Sequence, residues 1–145
     1  MTIRVQEAAF NPWEVLAAYE LVAGERLAGQ TGGAAVFVGT MRDFNQGQAV
    51  SAMTLEHYPG MTEAYLEKIR TEAHRRWELV DSLILHRVGP LKPGEPIVLV
   101  ACWAAHRDAA FAACRYLIDE LKTRAPFWKQ EQTDSGLRWV DQNQS

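Results

Sequence analysis

The sequence predicts a single α+β domain with a mostly antiparallel sheet and about three helices. The candidate elements follow the order β-α-β-β-α-β-β-α-β-β, and most consecutive strands are joined by hairpin-length links. Few helices are placed to connect parallel strands. With 145 residues, 48% of them hydrophobic, the chain is large enough to bury one core. No repeat or linker interrupts it, so we predict one domain spanning residues 1–145.

The chain opens with a short strand-like segment at residues 3–5, and a helix follows. Asn11 can cap this helix and Pro12 suits its first position. We expect the helix to run to about residue 22 and Gly24 to end it.

The next segment alternates between strands and turn-forming stretches. A Gly-Gly turn precedes AAVFVG, an apolar run of strand length. TMRDFNQGQ is polar and lacks either periodicity, so we expect a mobile loop. Residues 50–57 alternate well enough for a half-buried strand, which Pro59-Gly60 ends.

A second helix is predicted over residues 62–77. Its apolar side chains recur at three- and four-residue steps, which places one stripe against the core. The stripe comprises Leu66, Ile69, Ala73 and Trp77.

Two apolar strands and a third helix make up the next part of the fold. SLILHRV and PIVLVACWA are the strands, separated by the turn GPLKPG. The third helix should span residues 107–123, with Pro126 just past its end. We expect it to bury Phe111, Cys114, Ile118 and Leu121.

The C-terminal segment is predicted to form a small additional β subdomain. Trp128 and the GLRWV stretch indicate a final short hairpin. DQNQS should be a frayed tail.

Composition and charge exclude several classes of protein. The net charge of −3 argues against a nucleic-acid-binding domain. No apolar run approaches the ~20 residues that span a bilayer, and the first ten residues lack a signal-peptide pattern. Cys102 and Cys114 are too far apart in sequence for a CxxC motif, so we interpret both as core residues of a cytoplasmic protein.

The sequence predicts no cofactor and no metal site. His57, His74 and His86 have no metal-ligand spacing with one another or with carboxylates. We therefore interpret these three histidines as structural.

The segment LKTRAPFWKQE is the strongest candidate for a site. It places Lys122, Arg124 and Lys129 around Phe127 and Trp128, which we expect to be exposed, where a helix gives way to an extended strand. A lone lysine at a helix C-terminus is explained by the helix dipole. Three cations together suggest an anionic ligand, because like charges that lie close together repel one another unless an anion binds them. Neighbouring charges and burial also make a neutral amine accessible on lysine, whereas arginine stays charged.

Two further segments could contact an anion. FVGTMRDFNQG places Arg42 on a polar loop after a strand, although a loop arginine is often only a solvated charge. AAHRDAAF places His106 and Arg107 at a helix start, where the dipole favours anions. The alternative there is that Asp108 merely satisfies the first helical turn.

The length of the third helix constrains how these segments combine. Arg107 and Lys122 are fifteen residues apart, or roughly 22 Å in a continuous helix. A small ligand cannot easily contact both within one chain. We therefore predict a homodimer in which His106 and Arg107 complete a site of the other subunit.

Taken together, these segments resemble the large, catalytic subunit of molybdopterin synthase. FVGTMRDFN, LEHYPGM, HRVGPLKPGE, AAHRDAAF and KTRAPFWKQE occur in this order over about residues 33–140. Asp43 departs from the family pattern, in which asparagine is common, and we expect little consequence. The resemblance implies an α/β hammerhead-type fold and a homodimer that forms the core of a heterotetramer.

The resemblance also implies a reaction. The family converts cyclic pyranopterin monophosphate to molybdopterin, a step of molybdenum cofactor biosynthesis. Two sulfurs come from the C-terminal Gly-Gly thiocarboxylate of a small ubiquitin-like sulfur-carrier subunit. No nucleic acid or membrane is implied as a partner.

Site residues carry over from the resemblance by motif. Lys122 and Lys129 match the catalytic lysines, and Phe37 and Arg138 are further pocket candidates. The substrate-binding positions are Thr40, Met41, Arg42, His106, Arg107, Lys122, Lys129, Gln130 and Glu131.

Our sequence-based hypothesis assigns roles to these groups. Arg42 holds the phosphate and pterin together with His106 and Arg107 from the neighbouring subunit. Lys122 acts at the reacting centre as a general acid-base or as an amine that accepts the carrier's acyl group, and Lys129 stabilises developing negative charge.

Two other functions remain as alternatives. An anion-binding regulatory module without catalysis would explain the basic segments equally well. Binding of single-stranded RNA through Phe127 and Trp128 would need a wider basic surface than a net charge of −3 readily provides.

Overall fold

The computed structural model describes residues 2–140, which form three helices and nine strands. The helices are α1 (Pro12–Leu27), α2 (Met61–Trp77) and α3 (Arg107–Thr123). The strands are β1 (Thr2–Gln6), β2 (Gly33–Thr40), β3 (Phe44–Asn45), β4 (Gln48–His57), β5 (Asp81–Arg87), β6 (Gly89–Leu91), β7 (Pro96–Ala104), β8 (Phe127–Thr133) and β9 (Gly136–Val140).

The first sheet is the centre of the α/β part of the fold. Its strand order is β1-β5-β7-β2, with β1 parallel to β5 and the other pairs antiparallel. Side chains alternate across it, so that Leu83 and Leu85 pack with α1 while Ile84 packs with α2 and α3. Helices therefore cover both faces of this sheet.

The second sheet carries the β subdomain predicted at the C-terminus. Its order is β3-β4-β8-β9, and β6 also pairs with β4. The final hairpin is confirmed as β8 and β9, and all pairs in this sheet are antiparallel. The α+β class with a mostly antiparallel sheet is thus confirmed. The predicted frayed tail DQNQS lies outside the described residues.

Helix α1 extends beyond its predicted end. Asn11 caps it as predicted, accepting hydrogen bonds from the backbone N–H groups of Trp13 and Glu14 at 3.0 and 3.3 Å. The prediction that Gly24 ends the helix is wrong, because α1 continues to Leu27, which is buried against the first sheet. Burial of the last turn outweighs the ~1 kcal/mol that a helical glycine costs.

Helix α3 has the predicted bounds, but one predicted core residue is wrong. Cys114, Ile118 and Leu121 are buried, whereas Phe111 is 67% exposed. The buried stripe of α3 passes through Ala110 and Cys114, and Phe111 lies beside it on the helical wheel.

Helix α2 buries its predicted stripe almost completely. Leu66, Ile69 and Ala73 are 0–3% exposed, and Trp77 is partly buried. No helix within residues 2–140 is long and apolar enough to cross a bilayer.

The segment predicted as a mobile loop is partly a β-hairpin. Phe44 and Asn45 pair with Ala49 and Gln48. Gln46 and Gly47 make the turn with φ values of 53° and 78°, as two-residue hairpins require. The predicted turn GPLKPG likewise contains a short strand, β6.

Candidate active site

A cavity lies where the two sheets meet the C-terminal end of α3. Its walls come from β2 and the following loop, β3, β4, the end of β5, the start of β7, the last turns of α3, and β8. The lining residues are Gly39, Thr40, Met41, Arg42, Phe44, Asn45, Met53, Leu55, His86, Ile97, Val98, Ile118, Leu121, Lys122, Phe127, Lys129 and Glu131.

Both predicted catalytic lysines line this cavity. Lys122 lies in the last turn of α3 and is half-buried. After a short connection, β8 alternates buried and more exposed positions, so that Lys129 and Glu131 face inward with 9% and 4% exposure. A helix end and the strand that follows it therefore bring two amines into one cavity.

Burial changes the protonation of both amines. It lowers the pKa of Lys122, and the charge of Arg42 lowers it further. Burial also lowers the pKa of Lys129, to about 8, although Glu131 acts in the opposite direction. A neutral amine is consequently more accessible at Lys129 than on an exposed lysine.

The segment 40–42 provides the cavity's arginine. Met41 is 5% exposed, and its backbone is fixed by hydrogen bonds of 3.0 Å to the Glu95 carbonyl and 2.8 Å from the Gly94 N–H. Thr40 and Arg42 flank it and are exposed. A guanidinium at the mouth of a cavity that also contains two amines suits a phosphate.

Glu131 is held in place by two partners. The amide of Asn45 donates to its carboxylate at 3.1 and 3.3 Å. Arg138 donates to the same carboxylate and also to the backbone carbonyl of Asn45 at 2.8 Å. Arg138, a pocket candidate, does not line the cavity but supports its wall.

His106 and Arg107 lie at the opposite end of α3 from Lys122. Both are exposed, and the helix between Arg107 and Thr123 is continuous. His106 is the N-cap residue, and its side chain makes no capping hydrogen bond. The structure therefore does not bring these two residues into the cavity of the same chain.

Three other candidates also lie away from the cavity. Gln130 is on the face of β8 opposite to Lys129, and Arg124 is 73% exposed and pairs with Glu120 on α3. Phe37 packs against the core close to Gly39 without lining the cavity.

The expectation that Phe127 is exposed is wrong, because this residue is 5% exposed. Its ring stacks on His86 with centroids 4.0 Å apart. Trp128 is 39% exposed and forms an edge-to-face contact with Tyr58. Of the two aromatic residues, Trp128 alone is available to a partner.

Sequence reasoning missed His86, which lines the cavity beside Lys122. The signal was present, because a titratable side chain in the apolar strand SLILHRV is unusual in a buried strand. It also missed the apolar wall formed by Met53, Leu55 and Ile97.

Residues 2–140 contain neither a cluster of potential metal ligands nor an exposed thiol. No group of three or more potential metal ligands occurs among residues 2–140. Cys102 and Cys114 are free and buried in the core of the first sheet and α3, as predicted.

The match to a protein-family model decides the family. The model described as MoaE protein matches residues 5–124. The chain belongs to the MoaE family. It is 56% identical over 143 residues to the molybdopterin synthase catalytic subunit of Pseudomonas aeruginosa, covering 97% of this chain and 91% of that protein.

Solved structures of MoaE proteins have the same fold. The MoaE protein from Burkholderia ambifaria superimposes with a TM-score of 0.79 at 50% identity, covering 99% of this chain and 90% of that chain. A complex of subunits 1 and 2 of molybdopterin-converting factor from Helicobacter pylori contains a chain with a TM-score of 0.77. The match covers 94% of this chain and 88% of that chain. At 21% sequence identity, it shows a shared fold alone.

Proposed function

We propose that this chain is the catalytic subunit of a molybdopterin synthase. In this reaction, cyclic pyranopterin monophosphate receives two sulfurs from the C-terminal thiocarboxylate of a small sulfur-carrier subunit and becomes molybdopterin. The observation that carries the proposal is the cavity in which Lys122 and Lys129, both with lowered pKa, lie close to Arg42. Membership of the MoaE family supports it independently.

The charges in the cavity fit the proposed substrate. The guanidinium of Arg42 can bind a phosphate through two parallel hydrogen bonds. The apolar residues Met53, Leu55 and Ile97 offer a surface for a flat heterocycle. A site on the protein surface that binds only an anion would lack this apolar surface.

The two lysines suit sulfur transfer. For each sulfur, a C–S bond to the pterin forms while a C–O bond at the same carbon breaks, and the displaced oxygen leaves on the phosphate or as water. The thiocarboxylate's C–S bond breaks, and an oxygen from water replaces the sulfur on the carrier. Lys122 acts at the reacting centre, as a proton donor and acceptor or as an amine that accepts the carrier's acyl group before water releases it. Lys129 stabilises the negative charge that develops.

We infer that the working site is shared between two subunits. His106 and Arg107 cannot reach the cavity of their own chain, because the continuous helix α3 separates them from Lys122. A homodimer that places the start of one α3 near the cavity of the other would add two groups that can bind the phosphate and pterin. With two carrier subunits, the assembly is a heterotetramer.

We place the reaction in the cytoplasm. Cys102 and Cys114 are both free thiols, as is usual in a reducing compartment.

The proposed carrier tail would approach the cavity mouth, where Arg42 is exposed and can attract a carboxylate or thiocarboxylate.

Single-turnover sulfur transfer tests this function. The purified protein is mixed with the pterin precursor and a thiocarboxylated carrier, and mass spectrometry follows the sulfur on pterin and carrier. We expect conversion by the wild-type protein and a loss of at least about 100-fold in Lys122→Ala. Lys68→Ala is the matched control, because Lys68 is an exposed lysine of α2 that does not line the cavity.

Lys122→Arg separates catalysis from simple anion binding. An arginine retains the charge but cannot supply a neutral amine. Catalysis predicts that this variant is nearly as slow as Lys122→Ala, whereas an anion-binding module predicts wild-type ligand affinity and no conversion by any variant. Failure of the wild-type protein to sulfurate the precursor would refute the proposed function.

A further inference from the structure

His86 occupies a rigid position on the wall of the cavity. It lies near the end of β5, pairs in register with Val5 of β1 and Val98 of β7, and is 8% exposed. Its ring stacks on Phe127 with an interplanar angle of 13°. The backbone and the ring are therefore both fixed before any ligand binds.

The hydrogen bonding of His86 defines its tautomer. Nδ1 lies 2.7 Å from the backbone carbonyl of Arg87, and since a carbonyl oxygen only accepts, Nδ1 carries the proton. Burial lowers the pKa of His86 to about 4, and the charge of Lys122 contributes in the same direction. At neutral pH the ring is uncharged, and Nε2 presents a lone pair.

No group among residues 2–140 forms a hydrogen bond with Nε2 of His86. His86 lines the cavity, so Nε2 is its remaining hydrogen-bonding atom there. An unused acceptor on a rigid ring in the wall of a cavity is available to a ligand.

The charged groups of the cavity do not supply this kind of contact. Arg42, Lys122 and Lys129 are hydrogen-bond donors when charged, so they suit a phosphate. Glu131 is the nearby carboxylate, and its oxygens already accept hydrogen bonds from Asn45 and Arg138. A pterin also carries ring N–H donors, which lose free energy when they are buried without an acceptor.

We propose that His86 is a substrate-binding residue whose Nε2 accepts a hydrogen bond from a ring N–H of the pterin. This inference rests on the proposed function, because it assumes a pterin ligand. His86 then orients the heterocycle, while Arg42 and the two lysines hold the phosphate and serve the reaction. Recognition of the ring is thus separated from recognition of the phosphate.

Two substitutions of similar size isolate the acceptor. His86→Asn keeps an N–H near the position of Nδ1, which can still donate to the Arg87 carbonyl, and removes the acceptor at Nε2. His86→Gln places an amide oxygen near the position of Nε2. Both variants lose the stacked ring, and the Gln variant also loses the contact with the Arg87 carbonyl, so a higher affinity of the Gln variant reports the acceptor.

The experiment measures affinity for the pterin monophosphate in the absence of carrier, by calorimetry. We expect His86→Asn to bind about tenfold more weakly, the effect of one lost hydrogen bond, and His86→Gln to recover most of the affinity. Competition by inorganic phosphate should be unchanged in both. His57→Asn is the matched control. The ring centroids of His57 and Phe127 are 6.4 Å apart, but His57 does not line the cavity.

A second measurement uses the wild-type protein and therefore does not require that the substituted proteins fold. In ¹⁵N NMR, the Nε2 resonance of His86 should move towards the hydrogen-bonded position when the pterin monophosphate binds, and should stay in place with inorganic phosphate alone.

Several results would overturn the proposal. The proposal fails if His86→Asn binds the pterin as tightly as the wild type, or if the Asn and Gln variants bind it equally. It also fails if the chemical shift of Nε2 does not change when the pterin binds. Loss of turnover with unchanged pterin affinity would likewise exclude a role of His86 in binding the pterin. If the wild-type protein does not bind the pterin at all, the proposed function fails.

Discussion

Arg138 and Glu131 form an ion pair across the β8–β9 hairpin, with Nη2 and Oε1 3.0 Å apart. Glu131 is almost completely buried at the cavity wall, and Arg138 reaches it from the edge strand β9. The outermost strand of the second sheet thus determines the position of a carboxylate next to Lys129.

The ion pair predicts a stability effect. Arg138→Ala leaves a buried carboxylate with Asn45 as its remaining side-chain partner, so we expect a loss of roughly 2–4 kcal/mol in the free energy of unfolding. Urea denaturation measures it. Arg115→Ala is the control, because its pair with Asp119 is exposed, and a loss below about 0.5 kcal/mol is expected. Equal losses in both variants would contradict this account.

The lowered pKa of Lys129 predicts how neighbouring substitutions act. Glu131→Gln removes a negative charge that raises the pKa, so the value should fall below about 8. Lys122→Met removes a positive charge, so the value should rise. NMR titration of the lysine side chains measures both pKa shifts. If the pKa of Lys129 moved in the same direction in both variants, the charges of Glu131 and Lys122 would not be the causes.

The same pKa also predicts a dependence of stability on pH. The unfolded chain holds the Lys129 proton up to about pH 10.4, whereas the folded protein releases it from about pH 8. Between these values the unfolded state binds more protons, so this lysine increases stability as the pH rises. Subtracting the unfolding free energies of Lys129→Met from those of the wild type at each pH should isolate that increase. A flat difference would contradict it.

The tight contact between Gly32 and Ala105 predicts a coupled effect on stability and activity. A Cβ on Gly32 would lie 1.9 Å from the Ala105 carbonyl oxygen, so Gly32→Ala must displace the segment before α3. We expect a lower melting temperature and slower sulfur transfer, because His106 and Arg107 follow directly. Gly33→Ala is the control, since its nearest neighbouring atom would be 3.9 Å away. Identical behaviour of the two variants would be inconsistent with this contact.

The proposed shared site predicts complementation between inactive subunits. Lys122→Ala and Arg107→Ala should each be inactive. In a mixed dimer, one site combines the native Lys122 of one chain with the native Arg107 of the other. Random mixing should therefore restore about a quarter of wild-type sulfur transfer. Single-turnover assays after co-refolding measure this, and absence of any recovery would place both residues in the same chain's site.

The sequence predicted helix bounds well where caps and periodicity agreed, and less well where tertiary packing decided. The bounds of α3 followed from its apolar stripe and from Pro126. The end of α1 did not, because burial of Leu27 against the first sheet outweighs the local signal of Gly24. The hairpin at Phe44–Asn45 was missed because a two-residue strand leaves no detectable alternation.

The candidate site was predictable in its charges and less so in its surroundings. Lys122, Lys129 and Arg42 converge as their motifs indicated. His86 was interpreted as structural because it has no metal-ligand spacing with other histidines or carboxylates, and only the sheet register shows that it faces the cavity. Phe127 was expected at the surface, and its burial depends on stacking with a residue forty-one positions earlier in the sequence.

The location of the two thiols has a further consequence. Cys102 is 0% exposed and Cys114 6%, and the hydrogen bond with Cys114, together with burial, raises the pKa of the Cys102 thiol. In the proposed reaction, a thiocarboxylate that enters the cavity therefore meets amines and a guanidinium but no accessible thiolate. Without such a nucleophile, the carrier's acyl group cannot be captured as a thioester on the protein, with its sulfur lost as hydrogen sulfide.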